Sequence, residues 1–158
     1  MPYSLDGRKK ARAAAFTLTE LVIALAILGL VATITVPIYN GFRREAAVGQ
    51  AIQEIRQIEL QLKDLALDGD LPATLAEAGL AMEDPWGRPY RYLAIAVTPP
   101  PDTGAVRKDK NLNPINTDFD LYSLGADGES KPPLTAKSSR DDVVRAANGS
   151  FVGLGEDY

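Results

Sequence analysis

The sequence predicts an α+β protein: one long N-terminal helix followed by a small head that contains β-strands. Three observations predict it. From Leu21 to Ile38 no residue is charged. Apolar residues then recur at helical spacing from Val48 to Leu65, with charged residues between them. Beyond Asp84 the pattern changes to two short β-type segments bounded by Pro and Gly. A chain of 158 residues with 46% hydrophobic and 24% charged positions supports one globular core. One head domain plus a stalk is therefore expected.

The first element is the stretch LVIALAILGLVATITVPI, close to the roughly 20 apolar residues that cross a bilayer as a helix. Residues 1–15 carry Arg8, Lys9, Lys10 and Arg12 against Asp6, a net +3, so the total of −4 leaves −7 for residues 16–158. Basic residues on its N-terminal side place residues 1–15 in the cytoplasm and the acidic remainder across the membrane. No small-residue cleavage site follows Ile38, so the apolar run is expected to be retained. Glu20 stands at the head of this run, where a lone carboxylate in hydrocarbon costs several kcal/mol. Thr17-x-x-Glu20 fits a capping box, in which side chains satisfy the free backbone N–H groups of a helix start. Pro37 removes a helix hydrogen bond, and Gly29 and Gly41 flank it, which predicts a bend or a locally melted stretch.

The amphipathic half follows Arg43 and Arg44, with Val48, Ile52, Ile55, Ile58, Leu62 and Leu65 forming one apolar face. Its seam lasts under three heptads, too short for a convincing coiled coil, so this face is expected to pack on the head. Asp68-Gly69-Asp70 ends the helix, and Thr74 to Ala78 reads as a helical turn stopped by Gly79. Asp84 to Pro89 reads as a turn entering a strand from Tyr90 to Val97, with Trp86 and the tyrosines assigned to the core. Thr98 to Gly104, with three consecutive prolines, is a loop. A second strand, Phe119 to Leu124, breaks at Gly125-Ala126-Asp127-Gly128. Gly125 to Asp142 then reads as one long loop rich in Pro, Ser and charge.

The chain has no Cys and no His, which excludes disulfides, thiol chemistry, imidazole-based metal sites and His acid/base catalysis. A membrane-tethered enzyme would need Asp/Glu pairs, Ser or Lys at a recognisable spacing, and none is present. The acidic body argues against a nucleic-acid partner, which needs clustered Lys and Arg.

Ala15-Phe16-Thr17-Leu18-Thr19-Glu20-Leu21-Val22, running directly into the apolar segment, resembles the processing motif of type IV prepilins. The resemblance implies a cut between Ala15 and Phe16 by a membrane peptidase, methylation of the new amino terminus, and assembly through the retained helix. Ala15 stands where the family usually has Gly. The resemblance also implies that Glu20 pairs with the Phe16 amino group of a neighbouring subunit, and that Pro37 helps the helix fit a packed filament. Asp84-Pro85-Trp86-Gly87 with Pro89-Tyr90, and Phe119-Asp120-Leu121-Tyr122-Ser123-Leu124-Gly125-Ala126-Asp127-Gly128, resemble paired signatures of the major pseudopilin of type II secretion systems. The likeness covers about residues 12–128; a Gly-Gly-Glu-Gly-like stretch after the second signature is missing, and the tail to Tyr158 is unlike the family's.

As a whole the resemblance implies a pilin fold, with the long helix packed on a small antiparallel β-sheet. It divides the chain into a leader (1–15), a transmembrane and filament-core helix (16–42) and a periplasmic head (43–158). It implies a structural, non-enzymatic subunit of the bacterial inner membrane that forms a homopolymer. Its partners would be prepilin peptidase, minor pseudopilins and an assembly platform with an ATPase. A type IV pilus subunit is the alternative. It also implies a structural calcium ion, which would clip a loop that no disulfide holds. Carried over, the ligands are the Leu124 and Ala126 carbonyls and the Asp127 side chain, with Asp141 and Asp142 as distal carboxylates.

Overall fold

The computed structural model describes residues 16–69, 71–97, 101–102 and 104–158. The chain divides into two compact units, Met1–Gly41 and Phe42–Tyr158. Helix α1 spans Leu18–Asp68 and supplies the described part of the first unit and the start of the second. It is helical without interruption through Pro37, so the melted stretch expected there does not form. The cost is local: Pro37 has no N–H to donate back to the Thr33 carbonyl, one bond among many in a long helix. Thr33 Oγ1 meanwhile donates to the Gly29 carbonyl at 2.8 Å, one turn earlier.

Four antiparallel strands follow in the second unit, β1 Arg91–Ala94, β2 Phe119–Ser123, β3 Val143–Ala146 and β4 Phe151–Leu154, paired in sequence order. The register sets Arg91 opposite Tyr122, Tyr122 opposite Val144, and Val143 opposite Leu154. Strand periodicity then sorts the side chains between two faces. Phe119, Leu121, Val143 and Val152 pack with Ala51, Ile55, Ile58 and Leu62 of α1, and Tyr90, Trp86 and Tyr92 complete that core. Val144, Ala146, Ile115 and Leu134 form a smaller cluster with Tyr122 and Phe151 on the opposite face. Both faces of β2 are therefore covered, and Asp120 is 1% exposed.

The apolar face of α1 lies where the spacing places it, with one correction. Leu65 is 43% exposed and lies outside the core, which ends at Leu62. Strand β1 is shorter than the segment Tyr90 to Val97, because Ile95 and Ala96 both donate to the Asp118 carbonyl and leave the ladder. Thr74 to Gly79 is a turn rather than a helix, capped by Thr74 Oγ1 on the Glu77 N–H and closed by Gly79 at φ +70. Of the loop Thr98 to Gly104, residues 98–100 and 103 lie outside the described residues, as do Asp70 and the leader with Ala15.

Candidate functional site

The first site is the start of α1. Both the Thr17 N–H and the Thr17 hydroxyl donate to Glu20 Oε2, at 2.8 and 2.9 Å, and the Glu20 N–H donates to Thr17 Oγ1 at 3.2 Å. The capping box expected from Thr17-x-x-Glu20 is thus formed on both sides. Glu20 Oε1 takes no hydrogen bond from the described residues. Phe16 is 88% exposed, and every residue from Phe16 to Ala46 is exposed in the single chain. Leu21, Ile23, Ile27, Val31 and Ile38 therefore present apolar surface with no protein cover. The helix is long and apolar enough to cross a membrane. Pro37 lies within this exposed stretch, and Ala15 outside the described residues.

The second site is the loop between β2 and β3. Asp84 Oδ1 accepts the N–H groups of Trp86 and Arg88, and its Oδ2 accepts the Ser123 hydroxyl at 2.5 Å. The two sequence signatures thereby lean on each other through one buried carboxylate. Arg88 Nη2 donates to the Gly125 carbonyl, fastening the Asp84 to Tyr90 turn to the loop. Gly125 has φ +63, and a Cβ there would fall on the Asp141 carbonyl, so this position has no room for a side chain.

Of the residues expected to bind calcium, Asp141 is brought against the turn from Gly125 to Asp127, while Asp142 is directed elsewhere. Asp141 Oδ2 accepts the N–H groups of Ala126 and Asp127 at 2.9 and 3.0 Å. Asp127 Oδ1 accepts the Glu129 N–H, and the Leu124 carbonyl accepts the Gly128 N–H. Asp142, the next residue after Asp141, meets a different set of partners. Its Oδ2 lies 2.6 Å from Arg107 Nη2 and accepts the Ser130 hydroxyl at 2.6 Å. Burial pushes the Asp142 carboxyl up to about 6 against the opposing pull of Ser130 and Arg107. Among the described residues no three acidic side chains are grouped closely enough to hold a metal ion.

Sequence reasoning missed Arg107. It is 2% exposed, its Nη1 donates to Ser130 Oγ and to the Lys131 carbonyl, and its guanidinium lies 4.3 Å from the centroid of the Tyr122 ring. In sequence Val106-Arg107-Lys108 reads as surface charge, and nothing local signals that Asp142 lies across from it.

The family profile of the prokaryotic N-terminal methylation motif matches residues 10–36. The type II secretion system core protein G of Vibrio cholerae is 26% identical over 144 residues, covering 77% of this chain and 86% of that protein. Its Pseudomonas aeruginosa counterpart is 29% identical over 137 residues, covering 72% and 84%. The type IV major fimbrial protein FimA of Dichelobacter nodosus is 28% identical over 141 residues, covering 87% and 84%. No solved structure matches the chain. The chain thus carries a type IV pilin-like methylation motif and is a homologue of the type II secretion core protein G over most of its length.

Proposed function

We propose that this chain is the precursor of a structural subunit of a type II secretion pseudopilus, cleaved before Phe16, methylated there, and polymerised through its N-terminal helix to drive protein export. The observation that carries the reading is the long apolar surface from Phe16 onward, headed by a capped carboxylate and matched by the methylation motif. Lipid covers that surface before assembly, and neighbouring copies cover it in the filament. Among the described residues Glu20 Oε1 takes no hydrogen bond while Oε2 serves the cap, so the Phe16 amino group of the next subunit can bind without undoing the helix start. In hydrocarbon that attraction is far stronger than in water, and an unmatched charge is penalised, which fixes the axial register of neighbours.

The reading places the leader in the cytoplasm and the head in the periplasm, with prepilin peptidase, minor pseudopilins and an ATPase-driven platform as partners. The subunit is structural rather than catalytic. Intact mass and N-terminal sequencing of the membrane-extracted protein test the processing step: a chain starting at Phe16 with one added methyl group is expected. A mature chain that keeps residues 1–15 in cells with the peptidase would sink the reading. A second reading, a subunit of a type IV pilus, rests on the likeness to FimA. Deleting the gene separates them, since a secretion subunit's loss leaves exported proteins in the periplasm with surface pili unchanged.

A further inference from the structure

We propose that the loop from Leu124 to Asp142 is closed by side chains alone, with the Arg107 and Arg88 guanidinium groups holding it where a divalent cation would otherwise be needed. A loop this long, without a disulfide, is expensive to order unless something ties its ends and middle together. Three ties are present. Arg88 grips the Gly125 carbonyl at the start. Asp141 spans back across the loop to the N–H groups of Ala126 and Asp127. Arg107 binds Asp142, Ser130 and the Lys131 carbonyl at once, drawing the middle of the loop to the start of β3.

The placement of the two neighbouring aspartates explains why these ties exclude the ion. Asp141 meets the turn at Ala126 and Asp127, whereas Asp142 meets Arg107 and Ser130 just before β3, so they do not serve one centre. Asp142 Oδ2 is already paired at 2.6 Å with a guanidinium that is itself buried, which leaves the buried Oδ1 as its one oxygen without a hydrogen-bond partner among the described residues. A further cation near Gly125 would have to approach the Arg88 guanidinium, whose Nη1 lies within contact of Gly128. Like charges repel at short range. Arg107 is also fixed from its backbone, because its N–H donates to Asp120 Oδ2 at 2.7 Å, and from its flat face by Tyr122. A guanidinium so restrained loses little freedom in binding and offers several donors in a fixed fork.

The test is thermal unfolding of the full chain in detergent, followed by the fluorescence of Trp86, its single tryptophan. Calcium at a few millimolar and a chelator are the two arms. A site of ordinary extracellular affinity would raise the midpoint by about 2–5 °C under calcium, because only the folded state binds. No difference between the arms is expected, and a rise with calcium overturns the proposal. Arg107→Met is expected to lower the midpoint by on the order of 10 °C, since it strands the buried Asp142 charge. Where that variant does not fold, Asp142→Asn keeps the shape of the pair and removes its charge. A midpoint left unchanged by Asp142→Asn, or by a folded Arg107→Met, overturns the arginine clip.

Discussion

Arg145 is fully buried, and its guanidinium reaches three carboxylate oxygens. Its Nε donates to Glu59 Oε1 at 2.9 Å, and Nη1 and Nη2 grip Asp118 as a fork at 2.9 and 2.6 Å. Nη1 also donates to the Phe119 carbonyl, and the guanidinium stacks 4.0 Å from the Phe119 ring centroid. Lys63 adds a second cation to Glu59 at 2.7 Å. Replacing Arg145 by Met leaves the near-buried Glu59 with Lys63 as its remaining cation and strips Asp118 of its fork, which is expected to cost about 3 kcal/mol of unfolding free energy in a denaturant titration. Gly149 serves the same carboxylate, because at φ +94 its missing Cβ leaves room for Glu59 Oε1. Partial burial pushes the Asp118 carboxyl up, but the Arg145 hydrogen bonds and the Phe119 N–H outweigh it and hold the group below its ordinary range. A depressed folded-state value stabilises above the unfolded value, near pH 4, and that stability is lost as pH falls through the folded one. The melting midpoint should therefore drop below about pH 4, and Asp118→Asn should remove part of that slope. An identical acid profile in the variant would show that Asp118 does not contribute.

At the scale of elements, the second half of α1 is the platform on which the sheet forms. Ile58 is 1% exposed and sits in the middle of the face that meets Phe119, Leu121 and Val143. Ile58→Ala is expected to cost about 2–5 kcal/mol, whereas the same change at Leu65, which is 43% exposed, should cost far less. Comparable losses at both positions, read by denaturant unfolding, would contradict this packing. The face itself was legible, because its spacing of three and four needs no knowledge of the partner. So were β2 and its turn. Strands β3 and β4 were not, because Val143-Val144-Arg145-Ala146 follows two aspartates and Phe151-Val152-Gly153-Leu154 is interrupted by Gly153 and followed by Gly155. Arg145 reads as a surface residue until Glu59, 86 positions away, and Asp118 are brought beside it. The same blindness applies to the loop: Asp141 and Asp142 look like one pair of ligands in sequence, yet the chain assigns them to different neighbours.

At the scale of the molecule, the buried hydrophobic residues among the described ones all lie between Ala51 and Val152. None comes from the stretch Phe16 to Ala46, whose apolar side chains are exposed throughout. The second unit, Phe42–Tyr158, thus owns its core, both faces of its sheet and the Arg145 and Arg107 ion pairs. A unit that contains all its own burial should fold alone, because removing residues that bury nothing subtracts nothing from its stability. Residues 43–158 expressed without the N-terminal segment should accordingly be soluble and monomeric without detergent. Their Trp86-monitored midpoint should lie within a few degrees of that of the full chain in detergent, and Arg145→Met should lower both by the same amount. A truncated head that aggregates, or that melts far below the full chain, would mean that the exposed apolar stretch contributes to the head after all. The full chain, by contrast, should stay soluble only in detergent or lipid, since its uncovered surface from Leu18 to Phe42 has no other shelter in a single copy.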